Sequence, residues 1–112
     1  MQKFEYRTPR FNIDIPVQYT VEGSALDGRC TEIGQEGMTL ELKQPLTPNS
    51  SGMVSLTYRD HTLEIRARVA HATGTNAGLE FLYNSEEERG DVANLVASVA
   101  SSQSRPGPVL LN

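Results

Sequence analysis

The sequence predicts a mainly β protein, a six-stranded antiparallel barrel, closed or nearly so, followed by one C-terminal amphipathic α-helix. Three observations carry this expectation. Apolar residues alternate with polar ones along several short segments, the period-two pattern of a strand with one buried face. Glycine, proline, asparagine and aspartate collect between those segments, where turns need them. After Ser85 the apolar spacing changes to three and four residues, the period of a helix. Many short strands and one covering helix suit a barrel.

Phe11, Ile13, Ile15, Val17 and Tyr19 alternate with Asn12, Asp14, Pro16, Gln18 and Thr20 and define the first strand. Pro16 donates no ladder hydrogen bond, so it belongs at an edge or a bulge. Glu22-Gly23-Ser24 and Asp27-Gly28 both read as turns, which leaves residues 29–33 for a second strand. Gly34-Gln35-Glu36-Gly37 breaks the pattern, and Met38, Leu40 and Leu42 resume it in a third. A loop rich in proline, asparagine and serine follows, then a fourth strand over residues 53–59 and a tight turn at Asp60-His61. Leu63, Ile65, Ala67 and Val69 mark a fifth strand, and residues 77–82 a sixth. Ser85 with Glu88 three residues on makes a capping box, and Glu86 and Glu87 suit the positive end of a helix. Val92, Leu95, Val96 and Val99 give that helix its apolar stripe.

At 112 residues the chain holds one domain. Residues 1–10 form a basic arm, with Lys3, Arg7 and Arg10 and a helix-breaking Thr8-Pro9. Residues 11–100 form the barrel and helix, and residues 101–112, with Pro106-Gly107-Pro108, read as a disordered tail.

A net charge of −4 argues against binding to nucleic-acid backbones or anionic membranes, while leaving room for a local basic patch. No apolar run approaches the roughly 18 residues of a membrane span, so no membrane insertion is expected. Cys30 is the sole cysteine, which excludes an internal disulfide and a two-thiol metal site. With no signal-like stretch at the amino end, these features read as a cytoplasmic, reducing setting.

Enzyme chemistry finds few parts here. His61 and His71 have no thiol or carboxylate at a catalytic spacing, and no phosphate-loop, dinucleotide or nucleophile-elbow motif occurs. We expect neither catalytic residues, nor metal, nor cofactor. A barrel of the oligonucleotide-binding type would expose aromatics among basic residues. Here Phe11, Tyr19 and Phe81 fall on buried strand faces, and Glu64 lies beside Arg66 and Arg68.

Two features carry binding chemistry. Arg7 and Arg10 precede the first strand, and arginine offers a planar fork for phosphate and a flat face for purines. The segment Glu32-Ile33-Gly34-Gln35-Glu36-Gly37 begins with a carboxylate suited to a guanine edge, and its glycines admit close approach. Taken singly, each also reads as solvated charge or as an ordinary turn.

Their order resembles the PilZ family. The resemblance rests on the arginine arm, Ile15-Pro16-Val17, the acidic-to-glycine loop, Arg66-Ala67-Arg68-Val69, Gly78-Leu79-Glu80-Phe81 and the Ser85-Glu86-Glu87 helix start. It covers about residues 5–99 and implies a split-barrel type of six-stranded fold that binds the bacterial second messenger cyclic di-GMP. In the family two arginines four residues apart stack on guanine and grip phosphate. A loop of Asp or Asn, any residue, Ser, two more residues, then Gly reads the other guanine edge. Counted back from Pro16, Arg10 stands at the second arginine and Tyr6 at the first, with Arg7 one step off. Glu32 replaces the Asp or Asn, Gly34 replaces the Ser, and Gly37 matches. The resemblance therefore implies a cyclic di-GMP receptor in bacterial signalling, with Tyr6, Arg7, Arg10, Glu32, Gly34 and Gly37 at the site. Its alternative is a degenerate member that binds no nucleotide and engages a protein partner.

Overall fold

The computed structural model describes residues 9–103. Six strands run as β1 (Arg10–Val21), β2 (Ser24–Gly34), β3 (Gly37–Leu42), β4 (Ser51–Tyr58), β5 (His61–Thr73) and β6 (Asn76–Phe81), followed by α1 (Glu86–Gln103). They close into an antiparallel barrel in the order β1-β2-β3-β6-β5-β4. The predicted fold class is thus the observed one. β1 begins at Arg10, so the last residue of the basic arm is already paired, and α1 continues to Gln103.

Two turns were misplaced by sequence reasoning, and the lesser shift is at β4–β5, where the chain reverses at Arg59-Asp60 and His61 already pairs with Tyr58. Asp27-Gly28 lies inside β2, opposite Gln18 and Val17. The chain reverses at Glu22-Gly23, with φ of 51° and 81°, the positive pair that a tight type I′ hairpin requires. That two-residue turn pairs Val21 with Ser24 and sets the register for the whole hairpin. Gly28 serves packing instead: a Cβ there would stand 2.6 Å from Leu42 Cδ2 and 2.7 Å from the Glu41 carbonyl.

Pro16 sits where one-sided pairing ends. β4 pairs with β1 only from Val17 to Thr20, so the stretch from Arg10 to Pro16 is bonded to β2 alone. A register shift between Asn12 and Ile15 bends this free stretch. Proline's missing N–H costs no ladder bond at such a site.

The core fills the barrel with Val17, Tyr19, Ile33, Leu40, Ile65 and Leu79, among others. Val92, Leu95, Val96 and Val99 of α1 join it, and α1 packs against β1 and β5 beside the half-buried Phe11, Ile13 and Ile15. These three β1 residues lie where β4 gives no cover, so the helix completes what the strands leave open. No helix among the described residues is long and apolar enough to cross a membrane.

Candidate functional site

Arg10 opens β1 and pairs in register with Gly34, which closes β2; Asn12 pairs with Glu32. The guanidinium therefore projects over the end of β2. Its Nη1 lies 3.4 Å from Glu32 Oε1, an ion pair with side chains 30% and 40% exposed. The Thr39 hydroxyl donates to the same oxygen at 3.4 Å. Irregularities flank Glu32 on both sides: β1 shifts register between Asn12 and Ile15, and β2 against β3 between Cys30 and Glu32. Such bulges re-aim side chains, here turning the carboxylate toward the arm.

The two glycines of the β2–β3 connection have separate steric reasons. At Gly34 a Cβ would lie 2.7 Å from the Pro9 carbonyl and 3.1 Å from Arg10 Cγ, so the bare backbone lets Pro9 and Arg10 pass close against it. At Gly37 a Cβ would fall 1.9 Å from the Leu79 carbonyl, so no side chain fits between β3 and β6. Gln35 and Glu36 between them are exposed.

Backbone and aromatic contacts hold that exposed turn. Phe81 N–H donates to the Glu36 carbonyl at 2.9 Å, and the Tyr83 hydroxyl donates to the Gln35 carbonyl. The Tyr83 ring tilts against Phe81 at 6.0 Å and lies under the Arg89 guanidinium at 4.4 Å. Burial pushes the Tyr83 phenol up to about 12, with a smaller push from Glu36, so it stays a neutral donor across the physiological range.

Cys30 lies in the core below the site, its thiol donating to the Glu32 carbonyl at 3.3 Å. Burial pushes that thiol up to about 12, which leaves it un-ionised and unsuited to nucleophilic work. Among the described residues no group of three or more His, Cys, Asp and Glu side chains is arranged to hold a metal ion. Arg68 is spent on structure, bonded to Glu80 at 2.5 Å and Asn49 at 2.8 Å.

The structure thus brings together Arg10, Glu32 and Gly34, while Gly37 ends the same connection against β6. Tyr6 and Arg7 lie outside the described residues. Sequence reasoning missed Thr39, Tyr83 and Arg89. Thr39 reads as an ordinary strand residue, and Tyr83 reaches a partner 48 residues away, which no local pattern reveals.

Solved structures share this fold at low identity. The PilZ domain of CeSA from a cellulose-synthesizing bacterium superposes with a TM-score of 0.72 at 14% identity, covering 83% of this chain and 99% of that one. An uncharacterised Legionella protein matches at 0.62 and 16%, covering 86% and 98%. The Bacillus subtilis inhibitor of motility matches at 0.71 and 18%, covering 96% of this chain and 54% of its own. Among curated proteins no sequence matches. The PilZ domain model matches residues 5–98, taking in every strand, most of the helix and the Glu32–Gly37 connection, and on that span the chain belongs to the PilZ domain family.

Proposed function

We propose that this chain is a cyclic di-GMP receptor of the bacterial cytoplasm, working as a regulatory adaptor and not as an enzyme. One observation supports this reading above the others: Arg10 lies across Gly34 with its guanidinium beside Glu32, next to an exposed turn. The Glu32 carboxylate stands where a phosphate would meet the Arg10 guanidinium.

Binding exchanges partners. Arg10–Glu32 is a half-exposed pair made through Nη1 alone at 3.4 Å, worth about 0.2–1 kcal/mol, whereas a phosphate can accept from two N–H groups of the fork at once. A phosphate taking the guanidinium fork therefore outcompetes the internal pair. Glu32 is then released to accept the two N–H groups on a guanine edge, while Tyr6 and Arg7 bring stacking and charge from the arm. Closure of the arm over the ligand is the signal that a partner reads. The absent hydroxyl at Gly34 costs about 1 kcal/mol against a member that carries serine there. The likeness to a motility inhibitor and to the PilZ domain of CeSA suits a regulatory role.

A second reading, a PilZ module that binds protein and no nucleotide, draws on the same geometry: Glu32 already neutralises Arg10, and Gly34 offers no hydroxyl. Thermal unfolding separates the two. At a hundredfold excess over a micromolar Kd, ligand adds about 2.7 kcal/mol, a rise in Tm of about 10 °C or more. We expect that rise with cyclic di-GMP and none with GMP. An unmoved Tm at millimolar cyclic di-GMP selects the protein-binding reading.

A further inference from the structure

We propose that Tyr83 is a positioning residue for the β2–β3 turn and that, through Arg89, it couples this turn to helix α1. The turn has little else to hold it. Gln35 and Glu36 are exposed and flanked by two glycines, so no packed side chain fixes their place. Its carbonyls are held from one side only, Glu36 by the Phe81 amide and Gln35 by the Tyr83 hydroxyl. The Tyr83 ring is in turn lodged between Phe81 of β6 and the Arg89 guanidinium. Arg89 is fixed in the first turn of α1, its amide donating to the Ser85 carbonyl at 3.2 Å and its Nε lying 3.9 Å from Glu86. Displacement of Gln35 therefore pulls on Tyr83, and Tyr83 cannot shift without disturbing the start of α1.

The other end of the helix reaches the same site. Gln103 Nε2 donates to the Asn12 carbonyl, and Asn12 is the register partner of Glu32. Helix α1 thus touches the turn through Tyr83 at its amino end and the arm-bearing stretch of β1 at its carboxyl end. That stretch is paired on one side only. Both flanks of the site converge on one element, which makes α1 the part of the fold that reports whether the site is open or filled. That last step rests on the cyclic di-GMP reading; the coupling between turn and helix does not.

Amide hydrogen exchange on the full chain tests the coupling without ligand. Tyr83→Phe keeps the ring against Phe81 and Arg89 and removes only the hydroxyl. Exchange of the Phe81 amide and of the Glu88 and Arg89 amides is expected to quicken about fivefold, the effect of one lost hydrogen bond. Amides of Val54 and Leu56, in β4, control for global opening and should not change. Arg89→Met is expected to quicken the Phe81 amide about threefold, from loss of the cation–ring contact. Unchanged exchange at Phe81 in both variants, unchanged exchange at Glu88 and Arg89 in Tyr83→Phe, or a rise shared equally with Val54 and Leu56, overturns the coupling. With ligand, cyclic di-GMP added to wild type should slow the Arg89 amide, and Tyr83→Phe should weaken binding about fivefold. Wild type that binds with no change at Arg89 refutes the reporting role of α1. Wild type that fails to bind refutes the ligand assignment, and the coupling then stands or falls on the ligand-free exchange rates alone.

Discussion

Replacing Gly37 by alanine tests the link between fold and site most sharply. The new methyl would stand 1.9 Å from the Leu79 carbonyl, where real Cβ contacts do not go below 3.0 Å. The obstruction is backbone, so no rotamer change relieves it, and β3 and β6 must part by about an ångström. That separation stretches the 2.9 Å bond from Phe81 N–H to Glu36 and the ladder where Gly37 faces Glu80. Two backbone hydrogen bonds at about 1 kcal/mol each, with partial exposure of the buried Met38 and Leu79, give a loss of about 3 kcal/mol. For a domain of this size the Tm should fall by about 10–20 °C. Gly74→Ala is the control: φ is +59° but nothing lies within 4 Å of a Cβ, so only the left-handed backbone is strained, at about 1 kcal/mol. Urea unfolding followed by far-UV circular dichroism measures both. A loss at Gly37 no larger than that at Gly74 would refute the steric role of this glycine.

Other perturbations follow from the same geometry. The Tyr19 hydroxyl is buried with no hydrogen-bond partner among the described residues, so Tyr19→Phe should stabilise by about 1 kcal/mol in urea unfolding; a loss would mean the hydroxyl is bonded. Glu22 adopts φ of 51° ahead of Gly23, and Asn-Gly suits that turn better, so Glu22→Asn should raise stability by about 0.5 kcal/mol, read as a higher urea midpoint. Burial raises Cys30 from 9.0 and Tyr83 from 10.0, each to about 12, so folding favours both neutral forms. Their contribution is whole below about pH 9 and drains away as pH climbs toward 12, so unfolding free energy should fall over that range; a flat profile would contradict the burial of both groups. The native Cys30 thiol should likewise resist thiol reagents at pH 8 and react once unfolded.

Much of this was readable from residues alone, and the failures share a cause. The alternation from Phe11 to Tyr19 marks both the strand and its inner face, and Ser85 caps α1 as expected, the Glu88 amide donating to Ser85 Oγ at 3.1 Å, while the Glu88 carboxylate accepts from the Asn84 amide at 2.7 Å. Asp27-Gly28 misled because turn residues are a local signal that a strand interior can also carry, while the hairpin register follows the reversal at Glu22-Gly23. β5 runs on through Ala70, His71, Ala72 and Thr73, beyond the alternating stretch, because β6 pairs with it across a register shift after Val69. Residue chemistry and the resemblance singled out Arg10 and the Glu32–Gly37 connection as candidates, and Arg10 does lie beside Glu32 and Gly34. They had no access to the Arg10–Glu32 pair, which depends on hairpin register and a bulge in β1, or to the carbonyl behind Gly37, which depends on β3 meeting β6. The neighbouring of β3 and β6 was equally out of reach, as it joins strands far apart in the chain.

The proposed function turns on Arg10, held over Gly34 beside Glu32, as the residue that grips the nucleotide. Calorimetric titration of the chain with cyclic di-GMP, repeated on Arg10→Ala, tests that role without intermediates. We predict saturable binding near micromolar in the wild type, weakened at least about tenfold by loss of a charged, bidentate contact. No heat at millimolar ligand, or equal affinity in the two proteins, would contradict it.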